Sequence, residues 1–397
     1  MTDFRTRAAE WLAANKPPAI EGRSREDIVP MAKDFQAKLY DAGFAGITWP
    51  AAYGGQGLGQ AELLAYNSVA KDYDLPDGPF IIGMGMCGPT ILDLGTEEQK
   101  QRYVKPMLRG EEIWCQLFSE PGAGSDVASL QTKAVRDGDG WILNGQKVWT
   151  TNAQFADFGC VLARTNPDVP KHGGITMFII DMHDPGVSVR PLRVMTGNAP
   201  FNEVFFTDVH IPGDNVLGAV NDGWRAAVTM LGHERVSIGT SVGPKSDPLA
   251  FSSLLETARR DGRDKDPAVR QTLAELYVHQ RELQLLTIRM RQEAMAGKAI
   301  GARGSVAKLV GAQVANHGAD VAGTVEGPTA VAWDSSDAAA AELATSVVGV
   351  PGIGIAGGTN EVQKNIIGER VLGLPKEPQV DRDVPFRELK VGTQRGE

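Results

Sequence analysis

The sequence predicts an α+β chain built in three parts, helical, then β, then helical again. Apolar residues recur at helical spacing up to about Glu111, the period changes after Glu112, and helical spacing returns near Trp224. With 397 residues the chain is too long for one small core, so several domains are expected, with boundaries at residues 1–112, 113–217 and 218–397.

In the first part, Ser24-x-x-Asp27 reads as a capping box, followed by Ile28, Met31, Phe35 and Leu39 on one helical face, and Gly43 stops that helix. Thr96-x-x-Gln99 caps a second helix that runs toward Leu108. In the middle part, Trp141-Ile-Leu leads to Asn144-Gly145 and Lys147-Val-Trp resumes, which predicts a hairpin turning at Asn144-Gly145. Further strands are expected at Cys160-Val-Leu-Ala, Ile175-Thr-Met-Phe-Ile-Ile, Val187-Ser-Val and Glu203-Val-Phe-Phe, which together read as a β-barrel or sandwich. In the last part, helices are expected from Trp224, over 267–294, 305–321 and 338–344, and over 360–372, where Gly373 and Pro375 end the pattern. Residues beyond Lys376 read as a polar tail.

Charge and composition narrow the class. A net charge of −9 argues against nucleic acid and anionic membrane surfaces as partners. No apolar run is long enough to span a bilayer, and the N-terminus lacks the apolar stretch of a signal peptide. Cys87, Cys115 and Cys160 lie far apart with no C-x-x-C, so neither a structural zinc nor a disulfide framework is expected and a reducing cytoplasm fits. Gly352-Ile-Gly-Ile-Ala-Gly357 matches a dinucleotide fingerprint, but about forty residues follow it, too few for sister strands.

Two segments carry chemistry. Phe118-Ser-Glu-Pro-Gly-Ala-Gly-Ser-Asp126 is a Gly-rich turn whose backbone N–H groups can approach a phosphate or a planar ring. Lys147-Val-Trp-Thr-Thr-Asn152 offers the flat face of Trp149 for stacking. Hydroxyls at Ser119, Ser125 and Thr151 can donate to flavin ring atoms or ligand oxygens. Taken singly, each also reads as a surface turn or a core tryptophan.

The α–β–α order and these motifs together resemble the acyl-CoA dehydrogenase family over nearly the whole chain. The resemblance is carried by Gly95-Thr-Glu-Glu-Gln-Lys-Gln-Arg-Tyr103, Gln116-Leu-Phe-Ser-Glu-Pro-Gly-Ala-Gly-Ser125, Trp149-Thr-Thr151, the strand from Phe201 to Pro212, and Gly358-Thr-Asn-Glu-Val-Gln363 with Ile366-Ile-Gly-Glu-Arg370. It implies a helical N-domain, a β-domain and a C-terminal four-helix bundle. It also implies FAD, an acyl-CoA substrate and α,β-desaturation by α-proton abstraction and β-hydride transfer. Cofactor contacts are implied for Gln116, Leu117, Phe118, Ser119, Gly124, Ser125, Trp149, Thr150, Thr151, Thr359 and Glu361, and substrate contacts for Ser125, Arg235, Gly357 and Gly358.

Many members carry the catalytic base where this chain has Gly357, which cannot take a proton. Others place it on the first helix after the β-domain, and Leu231-Gly-His-Glu234-Arg235 matches that variant. On such a helix Glu234 shares a face with Ala227, Met230 and Ile238, where a carboxylate needs a partner or a task. Either Glu234 is the base or it pairs with a basic neighbour such as Arg235. His233 reads as a helix or pocket-wall residue, with a role as base the remoter alternative, and Glu120 as a structural acceptor.

The family's Arg-x-x-Phe-Gly and Gln-x-x-Gly-Gly segments, which hold a neighbouring subunit's FAD, are replaced here by residues 258–267 and by Val325-Glu-Gly-Pro-Thr329. Either Arg259, Arg260 or Arg263 takes over the phosphates in a homo-oligomer (dimer or tetramer), or a related subunit completes an α2β2 complex. An electron-transferring flavoprotein is the acceptor the family implies. A same-fold oxidase, monooxygenase or desulfinase, and a non-catalytic partner subunit, are the competing readings.

Overall fold

The computed structural model describes residues 2–20, 22–240, 247–296, 298, 301–330, 332, 334, 336–379 and 381–390. They divide into two compact units, Met1–Val194 with Ala199–Ser237 and Pro378–Glu397, and Met195–Asn198 with Ile238–Glu377.

The first unit opens with five helices, α1 (Thr2–Ala14), α2 (Arg25–Asp41), α3 (Gln60–Ala70), α4 (Gly88–Leu94) and α5 (Glu97–Arg109). Their starts follow the predicted caps. Ser24 accepts from the Asp27 amide, and Thr96 and Gln99 exchange side chain–backbone bonds of 3.2 and 3.1 Å at the head of α5. Gln99 also donates to the carbonyls of Asp214 and Val216 at 2.8 and 2.9 Å, so the same cap ties the helices to the β layer.

Seven strands follow, β1 (Trp114–Leu117), β2 (Lys133–Asp137), β3 (Gly140–Thr151), β4 (Phe158–Arg164), β5 (Ile175–Asp181), β6 (Val187–Leu192) and β7 (Phe201–Ile211). They form one sheet in the order β1-β4-β2-β3-β7-β6, with β5 paired to β4. β4 and β5 are buried along nearly their whole length, which explains their continuous apolar runs.

The predicted hairpin is displaced. The β2–β3 turn is Gly138-Asp139, between the paired Asp137 and Gly140, with Gly138 at φ +58°. β3 instead runs through Asn144-Gly145 with a register shift against β7. A Cβ on Gly145 would stand 2.4 Å from the Thr132 hydroxyl, so this glycine serves close strand approach, and Asn144 bonds across the sheet to Asp208.

All three cysteines are buried, Cys87 at the end of the π-helical segment Gly83–Cys87, Cys115 on β1 and Cys160 on β4, with the Cys87 thiol 3.7 Å from the Cys115 carbonyl. Burial pushes the Cys115 thiol up, and a bond to Cys87 together with burial pushes the Cys160 thiol up.

Helix α6 (Gly223–Thr240) leaves the first unit. In the second unit α9 (Gly304–Glu326) is packed by α7 (Phe251–Arg260), α8 (Pro267–Met295), α10 (Ala338–Ile353) and α11 (Asn360–Ile366). Leu254, Leu273, Leu276, Val321, Val325 and Val350 form its core. The described residues of 238–377 contain no strand, and 352–357 straddle the C-terminal end of α10, so the dinucleotide fingerprint has no βαβ context. Residues 381–390 pack on the β layer, a docking that the polar sequence does not announce.

Candidate functional site

The Gly-rich turn is fixed from behind. After β1, Glu120 and Ala123 exchange backbone bonds of 2.9 and 3.1 Å, which closes the turn. The Glu120 carboxylate accepts from the amides of Gln131 at 2.6 Å and Thr132 at 2.9 Å, and from the Lys147 ammonium at 2.8 Å. Lys147, fully buried, also donates to the Phe118 carbonyl at 3.0 Å, and the Val148 amide donates to the Ser119 carbonyl at 2.9 Å. Burial raises the Glu120 carboxyl, but Lys147 and the amide donors outweigh it and hold the group below its ordinary value. Burial pulls the Lys147 ammonium down, and Glu120 opposes that. The turn and β3 are thus one electrostatically locked piece. Glu120 has the structural role expected of it. Sequence reasoning gives Lys147 no role of its own, because burial along β3 does not alternate there and Lys147 and Val148 are both buried.

The two motifs present different groups. Leu117 and Phe118 send their side chains into the core, leaving backbone at the surface of the turn. Gly124 and Ser125 are exposed, and a Cβ on Gly124 would meet nothing within 4 Å. Ser119 and Thr151 are half-buried. Gln116 Nε2 and Thr150 Oγ1 are buried without a hydrogen-bond partner. Such orphaned groups are costly unless a ligand or water completes them, and a flavin ring edge, with its carbonyl and ring-nitrogen atoms, fits both.

Trp149 is the most unusual residue here. Its φ is +61°, a region that a bulky side chain rarely enters, and it sits in a bulge where the β3–β7 register shifts between Lys147 and Thr150. The bulge turns the indole outward. It is 55% exposed, with an edge contact to Phe201 at 5.7 Å between centroids, so its face is available for stacking. The neighbouring Thr150 is held by its carbonyl, which accepts from Asn202 at 3.0 Å.

Glu234 lies on α6, buried at 9% exposure, on the same face as the fully buried Ala227 and Met230. Those two residues share a core with Phe118, Met86 and Cys160, so the helix carrying Glu234 rests on the base of the Gly-rich turn. A Cβ on Gly85 would stand 2.4 Å from the Ser237 hydroxyl, so glycine is what lets α6 approach. The His233 ring lies 2.8 Å from the Asp93 carboxylate. The side chains of Arg235 and Ile238 lie outside the described residues.

In the second unit, Gly357 and Gly358 adopt φ of +66° and +91°. Gln363 donates to both of their carbonyls at 2.9 and 3.3 Å. Thr359 caps α11 by accepting from the Val362 amide, and Glu361 lies in its first turn, its carboxyl held low by its own amide and the Thr359 hydroxyl. Of the three arginines weighed for phosphates, Arg263 donates to the Val325 carbonyl at 2.6 Å, Arg260 faces Asp261 and Glu326, and Arg259 is exposed.

Three family models match: the acyl-CoA dehydrogenase N-terminal domain over residues 2–111, the middle domain over 115–209 and the C-terminal domain over 221–372. The acyl-CoA dehydrogenase IpdE1 of Mycobacterium tuberculosis is 35% identical over 406 residues, covering 94% of this chain and 98% of that protein. The acyl-CoA dehydrogenase FadE34 of the same organism is 42% identical over 86% of this chain, which spans 46% of that longer relative. Among solved structures, the Tcur3481-Tcur3483 steroid ACAD superposes with a TM-score of 0.80 at 27% identity, covering 95% of this chain and 98% of that one. The ChsE4-ChsE5 complex from Mycobacterium tuberculosis superposes with a TM-score of 0.76 at 28% identity, covering 95% and 98%.

Proposed function

The chain belongs to the acyl-CoA dehydrogenase family of oxidoreductases, and from that premise we propose that it is an FAD-dependent enzyme that desaturates the α,β bond of an acyl-CoA thioester. The observation that carries this reading is the buried carboxyl group of Glu234 on the apolar face of α6, over the core that supports the Gly-rich turn.

In this reading Gln116 and Thr150 donate to the flavin ring edge, Trp149 covers one face, and the backbone of 117–119 and 124–125 lines the approach. Thr359 and Glu361 keep the cofactor roles that the resemblance gives them. FAD, when bound, supplies the acceptor of the β-hydride at N5. Glu234 takes the α-proton, and its burial keeps water from competing for that transfer. The Gly357 amide donates to the thioester carbonyl and stabilises the enolate charge that develops there. Gly358 leaves room beside it, and Ser125 and Arg235 orient the ligand.

The likeness to a steroid ACAD supports a bulky, steroid-like acyl group. A second assembly, an α2β2 complex with a related subunit in place of a homo-oligomer, is favoured by the fate of the arginines. Arg260 pairs with Asp261 and Arg263 donates to the Val325 carbonyl of its own unit, which leaves the exposed Arg259 as the arginine a homo-oligomer would need. An electron-transferring flavoprotein is the proposed electron acceptor.

The test is anaerobic. The purified protein, with its partner subunit if one is required, is yellow and is bleached by an acyl-CoA, and a dye acceptor reoxidises it. Failure of every thioester from short-chain to steroid-like to bleach the flavin overturns the reading. Rapid turnover with oxygen alone favours an oxidase instead.

A further inference from the structure

The C-terminal segment returns to the first unit at one specific place. The amides of Phe386 and Arg387 donate to the carbonyls of Val169 and Pro167 at 2.9 and 3.0 Å, and Arg387 also pairs with Asp168. The Phe386 ring is buried and lies 3.7 Å beneath the Arg164 guanidinium. Arg164 is itself buried and donates to the carbonyls of Ala128 at 2.6 Å and Lys171 at 2.5 Å. Lys171 then joins tail and turn, its ammonium 3.0 Å from the Asp381 carboxylate and 2.8 Å from that of Asp126. The Ser129 hydroxyl donates to the same Asp126 oxygen at 2.5 Å.

Asp126 directly follows Ser125 at the exposed tip of the Gly-rich turn. A bare carboxylate there would repel a ligand whose far end carries phosphates, as that of coenzyme A does. Lys171, its ammonium shared between Asp126 and Asp381, offsets part of that charge and fixes the turn, and the tail fixes Lys171. We infer that residues 381–390 and Lys171 form a strap that positions the Ser125–Asp126 turn for the phosphate-bearing end of the thioester substrate. Lys171 and Phe386 are positioning residues in this arrangement and take no part in the chemistry. The strap rests on the acyl-CoA reading, because Ser125 must meet that substrate.

The probe is free coenzyme A, titrated calorimetrically into the full-length protein in its native assembly. Lys171→Met is expected to weaken coenzyme A binding about tenfold, by unpinning the turn and leaving two carboxylates uncompensated. Phe386→Ala, which alters no charge, is expected to weaken it several-fold by releasing the strap. In turnover, both losses fall on KM for acyl-CoA rather than on kcat, and an acyl-pantetheine thioester, which lacks the nucleotide, shows neither. Unchanged coenzyme A affinity in Phe386→Ala overturns the strap, as does an equal loss for both thioesters. Absence of coenzyme A binding to the unaltered protein overturns the acyl-CoA reading itself, whereas binding indifferent to both substitutions overturns the strap alone.

Discussion

Lys147 donates to Glu120 at 2.8 Å from a position closed to solvent, and this ion pair welds the Gly-rich turn to the strand that carries Trp149. Removing one partner leaves a buried charge uncompensated. Lys147→Met should therefore lower the unfolding free energy by roughly 3–5 kcal/mol at neutral pH. The double variant Glu120→Gln/Lys147→Met should recover much of that loss, because both charges are gone. Denaturant titration measures both, and a single variant as stable as the parent would contradict the weld.

The same pair sets a pH dependence. The folded Glu120 carboxyl sits below its ordinary value, so its contribution is complete above the unfolded value, about pH 4.3 for a glutamate. It is lost as pH falls through the lower folded value. Stability should therefore fall more steeply below about pH 4 in the parent protein than in Glu120→Gln. Parallel acid-denaturation curves for the two proteins would contradict this.

Trp149 holds a left-handed backbone in a strand bulge, so the usual ranking of small residues should invert there. Trp149→Gly should be more stable than Trp149→Ala by about 1 kcal/mol, whereas an ordinary strand position favours alanine. Thermal unfolding reads the difference. Both variants should also shift the flavin absorbance bands, since the stacking face is lost.

Glu234→Gln should keep acyl-CoA affinity within a few-fold and slow flavin bleaching by about 10²–10⁴-fold, the range expected for loss of a positioned base. Single-turnover bleaching under nitrogen measures the step directly. Bleaching at the parental rate would remove Glu234 as the base.

Gly358 stands at φ +91°, and a Cβ there would lie 2.6 Å from the Gln363 amide nitrogen. Gly358→Ala should cost about 1–3 kcal/mol and displace the Gln363 side chain from the Gly357–Gly358 turn that leads into the Thr359 cap. Hydrogen exchange at the start of α11 should rise, and unaltered protection there would count against the strained-turn account.

The α–β–α order and the capped helices were legible because they rest on local signals, such as the Ser24 and Thr96 caps and the continuous apolar runs of β4 and β5. The hairpin was misplaced because Asn144-Gly145 has turn chemistry, yet its glycine answers a long-range need, the approach of Thr132. The Gly-rich turn could be picked out from its own residues, but not what braces it. Glu120 and Lys147 are 27 residues apart, and Lys171 and Asp381 are 210 apart. No periodicity encodes such pairs, and a strap made of polar residues looks like a loose end until its partners are known.

The convergence of Cys87, Cys115 and Cys160 in one sealed patch makes the molecule its own unfolding clock. A thiol reagent can reach these sulfurs only after the helical segment Gly83–Cys87 parts from β1 and β4. The labelling rate therefore reports the lifetime of that junction in each variant above, without any added probe and without reference to turnover.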